Sequence, residues 1–499
     1  MMTGACRGCS ADVIAGGVAS SNRHQAVAAL KSDAVNRARP PSETERSMRL
    51  SLIAAMLLSS TILASAQETQ KEFPARLVGH ALLPANTMVA PPADAPADLK
   101  VSGKFISPGK RVEAVGTVMG TSGGRPTGLS TPFQGQPVQG FSGIRSLGNG
   151  EFLVLTDNGF GAKANSPDAM LFFHRIKADF AGGKIERLAT TFLHDPDKKV
   201  PFRIANEGTE KRYLTGADFD PESIQPIGGK FWIGEEFGPY LLRVDASGKV
   251  EAVFETLVDG KPARSPDHYA VTTPGAPNLP VEFNVRRSKG YEGMAQSPDG
   301  RFLYPLLEGP LWNAETKGNE LIDGKEVLRI LEFDVQAEKW TGRSWFFPLE
   351  QAGLAIGDFN MIDSTTALII ERDNGEGTAD RACAAGQKGP DCFHDLAKFK
   401  RIVKIEMTDA NVGKAVRKIG FIDLMKIADP DGKAKQGAID GVLPFPFFTI
   451  ENVDVVDRSN GIIVVGNDNN LPFSSSRDPK KADDNELVLL SVKELLDAK

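Results

Sequence analysis

The stretch Tyr291-Glu292-Gly293-Met294-Ala295-Gln296-Ser297-Pro298-Asp299-Gly300-Arg301-Phe302-Leu303-Tyr304-Pro305-Leu306-Leu307-Glu308 reads as a hairpin. Pro presets φ, Asp bonds its own backbone and Gly accepts positive φ, so Ser-Pro-Asp-Gly is turn chemistry. It separates a short strand from a second, more apolar one. Antiparallel pairing returns the end of the second strand to the start of the first, which makes Glu292 and Glu308 neighbours.

The same pattern recurs four more times. Ser142 to Leu147 turns at Gly148-Asn149-Gly150 into Phe152 to Thr156 and ends in Asp157-Asn158-Gly159. Pro221-Glu222-Ser223-Ile224 turns at Gly228-Gly229 into Phe231 to Gly234 and ends in Glu235-Glu236. Asp358 to Ile362 turns at Asp363-Ser364-Thr365-Thr366 into Ala367 to Ile370, ending in Glu371-Arg372-Asp373-Asn374. Glu451 to Val456 turns at Arg458-Ser459-Asn460-Gly461 into Ile462 to Gly466, ending in Asn467-Asp468-Asn469.

A second hairpin follows each of the first four, as in Leu171 to Lys177 with Ile185 to Leu193, or Arg401 to Met407 with Val416 to Ile422. Four-stranded meanders at intervals of about 65–95 residues, with hardly a helical period, predict an all-β fold, a β-propeller of four-stranded antiparallel blades. Loops 258–285 and 374–398 are expected to hang off the rim. The fifth unit keeps one strand, Leu487 to Val492, after its first hairpin, so a strand from the amino-terminal segment 67–130 is expected to close the ring. Six blades are expected, the sixth from residues 75–130 and the carboxyl terminus, with the propeller domain spanning 131–499. The competing architecture is a large sandwich, which does not require acids at one end of every hairpin.

Superposing the five units gathers Asp157, Glu222, Glu235, Glu236, Glu292, Glu308, Asp358, Glu371, Asp373, Glu451 and Asp468 around one mouth, joined by Asn158 and Asn467. Carboxylates so close raise one another's pKa unless compensated. Hard cations compensate, and an irregular set of oxygen donors suits Ca²⁺ better than Mg²⁺; the absence of thiolates and of clustered histidines speaks against zinc or copper. The plain alternative is that strand-end acids are solvated or cap loops. Lys289 and Arg372 lie among the acids, positioned to orient an oxyanion, although Arg372 is equally suited to pair with its acidic neighbours.

The amino terminus is a separate matter. From Met48 a basic Arg49, an apolar run and Ala64-Ser65-Ala66 have the form of a cleaved secretory signal over 48–66, with a buried or anchoring helix as the alternative. Residues 1–47 then read as an upstream extension outside the working protein, and the product is periplasmic or secreted without a membrane span. Cys6 and Cys9 fall in that extension. Cys383 and Cys392 remain and are expected to form a disulfide in an oxidising compartment, with a metal pair as the lesser reading. The whole chain has 58 basic and 64 acidic residues; seven and four of these lie in 1–66, leaving 51 and 60, a net charge of −9. An acidic chain without a basic stripe argues against a nucleic-acid partner.

Other chemistry lacks motifs. Gly120-Thr121-Ser122-Gly123-Gly124 matches the nucleophile-elbow spacing, but Arg125-Pro126-Thr127-Gly128 follows where a helix is needed. The histidines show no H-x-x-H spacing, and no P-loop or G-x-G-x-x-G occurs.

Phe141-Ser142-Gly143, Asp220-Pro221-Glu222-Ser223, Gly290-Tyr291-Glu292-Gly293, Ile370-Glu371-Arg372-Asp373 and Glu451-Asn452 with Asn467-Asp468-Asn469 resemble the exported bacterial phytase-like family, also described by the phrase "esterase-like activity of phytase". The resemblance spans roughly residues 135–495 and implies a β-propeller. The expected function is a Ca²⁺-dependent phosphoesterase or esterase-like hydrolase acting on a small anionic or phosphorylated substrate. The rivals are a non-catalytic calcium-bound propeller and a lactonase-like metal hydrolase.

Overall fold

The computed structural model describes residues 70–106, 117–157 and 159–499. The upstream extension, the signal segment and Asn158 lie outside the described residues.

Among the described residues the sheets divide into five four-stranded antiparallel blades, of which the fifth and first are joined in one larger sheet by a parallel contact between Leu82 and Lys184. Blade 1 is Phe141–Gly148, Glu151–Thr156, Phe172–Asp179 and Lys184–Phe192; blade 2 is Pro221–Ile227, Lys230–Glu235, Tyr240–Val244 and Val250–Glu255. Blade 3 is Tyr291–Gln296, Phe302–Leu307, Lys325–Asp334 and Lys339–Pro348; blade 4 is Ala355–Met361, Thr366–Arg372, Lys400–Glu406 and Arg417–Asp423. Blade 5 takes Thr449–Asp457, Ile462–Asp468 and Asn485–Ser491 from the end of the chain, and its fourth strand is Arg76–Leu83. A short strand, Lys71–Phe73, adds in parallel to the outer edge of blade 4.

The tight turns follow from local chemistry. Gly150, Gly229, Gly300 and Gly461 all take positive φ at hairpin tips, where a side chain would strain the backbone. Each strand then alternates one face against each neighbouring blade. The result is five apolar seams, one between each pair of successive blades: Leu155 with Ile224, Trp232 with Met294, Leu306 with Phe359, Ile370 with Ile450, and Val464 with Phe141.

The first strands of the blades stand side by side around a ring. Ser223 Cα lies 3.1 Å from where a Cβ on Gly143 would sit, and a Cβ on Gly293 would come within 2.8 Å of Phe359 N. Gln225 Nε2 donates to Met294 O, and Asn452 Nδ2 donates to Phe141 O, which joins blade 5 back to blade 1. Within the ring, Asn360 Nδ2 donates to Val453 O at 2.8 Å, its Oδ1 accepts from Gln225 Nε2 at 2.9 Å, and Arg145 pairs with Asp454 at 3.2 Å. These polar links fasten four first strands to one another.

The expected sixth blade is not formed among the described residues. Arg76–Leu83 is used to complete blade 5, while Val118–Ser122 and Arg125–Thr131 make a separate two-stranded hairpin. That hairpin holds the nucleophile-like spacing, and Ser122 is followed by another strand; its Oγ donates to Glu376 at 3.0 Å. Cys383 and Cys392 form a disulfide with 4.8 Å between their Cα atoms. Among the described residues no helix is long and apolar enough to cross a membrane.

Candidate functional site

Each first strand pairs with its second strand through a register shift near one end. The shift falls between Pro221 and Ser223 in blade 2, Tyr291 and Gly293 in blade 3, and Ile450 and Asn452 in blade 5. The residues passed over are Glu222, Glu292 and Glu451. A bulge takes its extra residue out of the ladder and re-aims the side chain, which is how three glutamates come to face one mouth. In blade 4 the shift spans Ile356 to Phe359 and passes over Gly357 and Asp358; in blade 1 it leaves Ser142 and Gly143 out. Ser142, Glu222, Glu292, Gly357 and Glu451 are therefore the equivalent positions.

Around these, one carboxylate oxygen each of Asp220, Glu222 and Glu236 lies within 4.8 Å of the others, and the same holds for Glu236, Glu292 and Glu308. Glu236 belongs to both groups. It follows the second strand of blade 2, and Glu308 follows that of blade 3. Asp157 and Asp468 continue the acidic lining on the blade 1 and blade 5 side: both carboxylates border Gly140, where a Cβ would come within 2.8 Å and 3.0 Å of them. Asp220 escaped the hairpin reading because it precedes its strand; the Asp-Pro-Glu spacing was the available signal.

Burial and mutual repulsion dominate the electrostatics. Burial first, then Asp220, pushes Asp157 up to about 7. Glu222, Glu236, Glu292 and Asp468 are all driven well above the usual carboxylate range by burial and then by neighbouring acids. Glu451 rises less far, because Arg372 and Ser142 oppose its burial; Ser142 Oγ donates to it at 2.8 Å and Arg372 lies at 3.1 Å.

The two basic residues differ. Lys289 pairs with Glu308 and keeps its side chain 40% exposed. Burial would lower its pKa, but Glu308 and Glu236 outweigh that and raise it. Arg372 is buried and committed: it holds Glu451, donates to Asn374 Oδ1 at 2.9 Å and donates to Phe448 O at 3.2 Å.

Five expected mouth residues are occupied elsewhere. Asp358 is one position out of register with the glutamate ring and accepts from the backbone N–H groups of Phe359, Ile144 and Val453. Glu235 accepts from Phe237, Gly238 and Tyr240 N–H and shapes its own loop. Glu371 accepts from Glu350 N–H and from Lys418 Nζ at 2.8 Å. Asp373 accepts from Lys398 and Phe399 N–H and pairs with Lys400. Asn467 accepts from Glu486 N–H and donates to Asp484 O. Partners remote in sequence satisfy Asp358, Glu371, Asp373 and Asn467, and the loop that follows it satisfies Glu235.

The donor set fits a hard cation. It consists of carboxylate oxygens, and Glu236 Oε1 and Glu292 Oε1 are buried with no hydrogen-bond partner. Buried polar atoms are rarely left so, and each orphan costs about 1–3 kcal/mol unless something coordinates it.

These features define a propeller with an acidic mouth. Residues 136–471 match the model of the phytase-like family, described as "esterase-like activity of phytase", and the chain belongs to that family. An uncharacterized secreted protein of Arthroderma benhamiae is 28% identical over 116 residues, which is 21% of this chain and 22% of that protein. Among solved structures, a luciferin-regenerating enzyme aligns over 71% of this chain and 92% of its own, with 11% identity and a TM-score of 0.27. A putative 6-phosphogluconolactonase from Bacteroides uniformis aligns over 72% and 95%, with 12% identity and a TM-score of 0.26. The Dos1 propeller aligns over 72% of both chains, with 9% identity and a TM-score of 0.26.

Proposed function

We propose that the protein is an exported, cation-dependent ester hydrolase whose substrates are small anionic esters, phosphoric esters foremost. One observation carries this reading: the carboxylate groups that share Glu236 and contain buried oxygens without partners. Ca²⁺ fits them better than Mg²⁺, because the donors come from several loops and strands in an irregular array. A divalent cation bound there supplies Lewis acidity toward an ester oxygen and a more acidic water. Asp220, Glu222, Glu236, Glu292 and Glu308 would hold it. Lys289, part-exposed at the rim, receives the anionic end of the substrate, while Arg372 opposes the effect of burial on Glu451 and holds it in place. Family membership supports ester hydrolysis, and the disulfide supports an oxidising, extracytoplasmic location.

The test is release of phosphate or alcohol from a panel of phosphomonoesters, phosphodiesters and carboxylic esters, with CaCl₂ and with chelator. Calcium-stimulated turnover that Glu292→Gln abolishes supports the proposal. No turnover across the panel, in a protein that still binds calcium, overturns it in favour of a non-catalytic calcium-bound propeller. Hydrolysis confined to lactones redirects it to lactonase chemistry.

A further inference from the structure

Segments 284–290 and 308–312 run side by side away from the mouth: Gly290 O accepts from Glu308 N–H and Asn284 O accepts from Trp312 N–H, each at 2.8 Å. One end of this ribbon carries the Lys289–Glu308 pair. The other end opens onto a groove of about 1000 Å³, walled by the long rim loop after Val258 and by the residues that follow Leu311. The walls are tied together. Arg329 pairs with Glu320 at 2.6 Å and with Asp259 at 3.1 Å, and Asn284 Nδ2 donates to Pro262 O at 3.1 Å.

Three features of this groove point to a ligand. Trp312 and Phe283 lie partly exposed in its lining, and Arg286, which is outside the lining, braces the indole with its guanidinium 4.3 Å from the ring centroid. Asn319 Oδ1 and Arg264 Nε also belong to lining residues, and both atoms are buried without a hydrogen-bond partner. The rest of each side chain is engaged, Asn319 Nδ2 donating to Glu326 at 2.6 Å and Arg264 Nη2 to Glu255 at 3.2 Å, so both groups are held in place with one acceptor and one donor unused. Buried polar atoms are rarely left so. Finally, four acidic and three basic side chains line the groove, and their charges nearly cancel.

We infer that this groove binds a neutral oligosaccharide. A sugar ring offers C–H faces that lie against an indole, and each hydroxyl both donates and accepts, which satisfies Arg264 Nε and Asn319 Oδ1 together. A purely apolar ligand would leave both atoms unpaired, and the balanced lining holds no surplus of cations for an anionic one. Small-molecule sites span about 300–1,000 Å³, so a groove at the top of that range suits several linked rings better than one. The inference goes beyond the ester chemistry proposed for the mouth and does not depend on it. The ribbon between the two places would direct an ester carried on such a saccharide toward Lys289 and Glu308.

The experiment is calorimetric titration of the full chain with cellotetraose, maltotetraose, xylotetraose and chitotetraose, in CaCl₂ and in chelator, repeated for Trp312→Ala, Trp312→Phe and Asn319→Leu. At least one tetrasaccharide binds, equally well in calcium and in chelator. Trp312→Ala weakens that binding about tenfold and Trp312→Phe restores most of it; Asn319→Leu weakens it about tenfold, the size of one lost hydrogen bond. Absence of binding by all four at millimolar concentration, or binding indifferent to both Trp312→Ala and Asn319→Leu, overturns the inference. Trp312→Phe and Asn319→Leu decide the matter if Trp312→Ala fails to fold. Saccharide binding without ester turnover overturns the hydrolase reading alone, and turnover without saccharide binding overturns this inference alone.

Discussion

Arg372 and Glu451 face each other at 3.1 Å across the seam between blades 4 and 5, one at the end of a second strand and the other on the bulge of a first strand. Both are buried, so the pair fixes a glutamate of the mouth by anchoring it to the neighbouring blade. Arg372→Ala leaves Glu451 without its counter-ion in a site already crowded with acids. We expect a loss of about 3–5 kcal/mol in stability, measured by urea unfolding in the presence of chelator. A loss below about 1 kcal/mol would show that the pair contributes nothing to the seam.

Gly357 occupies the ring position where the other blades carry Ser142, Glu222, Glu292 and Glu451. A Cβ there would collide with the carbonyl oxygen of Ile450, part of the backbone of blade 5. Gly357→Ala should destabilise the protein by about 1–3 kcal/mol through overpacking, read as a lower midpoint in the same unfolding experiment. Gly148→Ala, at a hairpin tip with nothing near its Cβ position but a positive φ, provides the comparison in which only backbone strain acts.

Glu486 gives a pH dependence with a definite sign. Burial alone would push its carboxyl up, but Arg477 and His80 outweigh that and hold it down to about 2. A carboxyl depressed in the folded state stabilises above its unfolded value near 4.5 and loses that contribution as pH falls toward 2. Acid unfolding should therefore be steep over this window, and Glu486→Gln should flatten it. An unchanged acid limb in the variant would assign the transition to other carboxylates.

The mouth acts in the opposite direction. Asp157 is raised to about 7 from an ordinary value of 3.8, so in chelator the unfolded chain loses its proton first and stability declines as pH rises between the two. Calcium bound only by the folded state reverses this. The rise in melting temperature on adding CaCl₂ should be larger at pH 7 than at pH 5, where protons occupy the donors. Equal shifts at both values would contradict a carboxylate site.

The hairpins were legible because their determinants are local. Gly, Pro and Asp at turns, and apolar alternation between them, identify each blade without any knowledge of its neighbours. Glu222, Glu292 and Glu451 were legible for the same reason, since each lies first or second in a repeated hairpin. Asp358 was misplaced because the blade 4 bulge passes over two residues and puts Gly357 in the equivalent position. Glu371, Asp373 and Asn467 sit at the expected ends, but their partners, such as Lys418 and Glu486, come from strands and loops that no periodicity connects to them, while Glu235 is taken up by the N–H groups of its own loop. The sixth blade failed on the same ground: Val118–Ser122 and Arg125–Thr131 make a good hairpin locally, and only tertiary pairing commits Arg76–Leu83 to blade 5.

That commitment governs how the molecule can fold. His80 and Glu486 meet at 3.0 Å across 406 residues of sequence, on the strand pair that completes blade 5. Contacts of such separation come late, because the loop they close must be ordered first. During synthesis the closing strand appears before any blade, and its long antiparallel partner, Asn485–Ser491, is made last. Through that interval its edge is open to pairing with another chain. The protein is thus most vulnerable to aggregation while nearly complete, and a truncation that removes only the last strand would leave two unpaired edges where the intact chain has none at this seam.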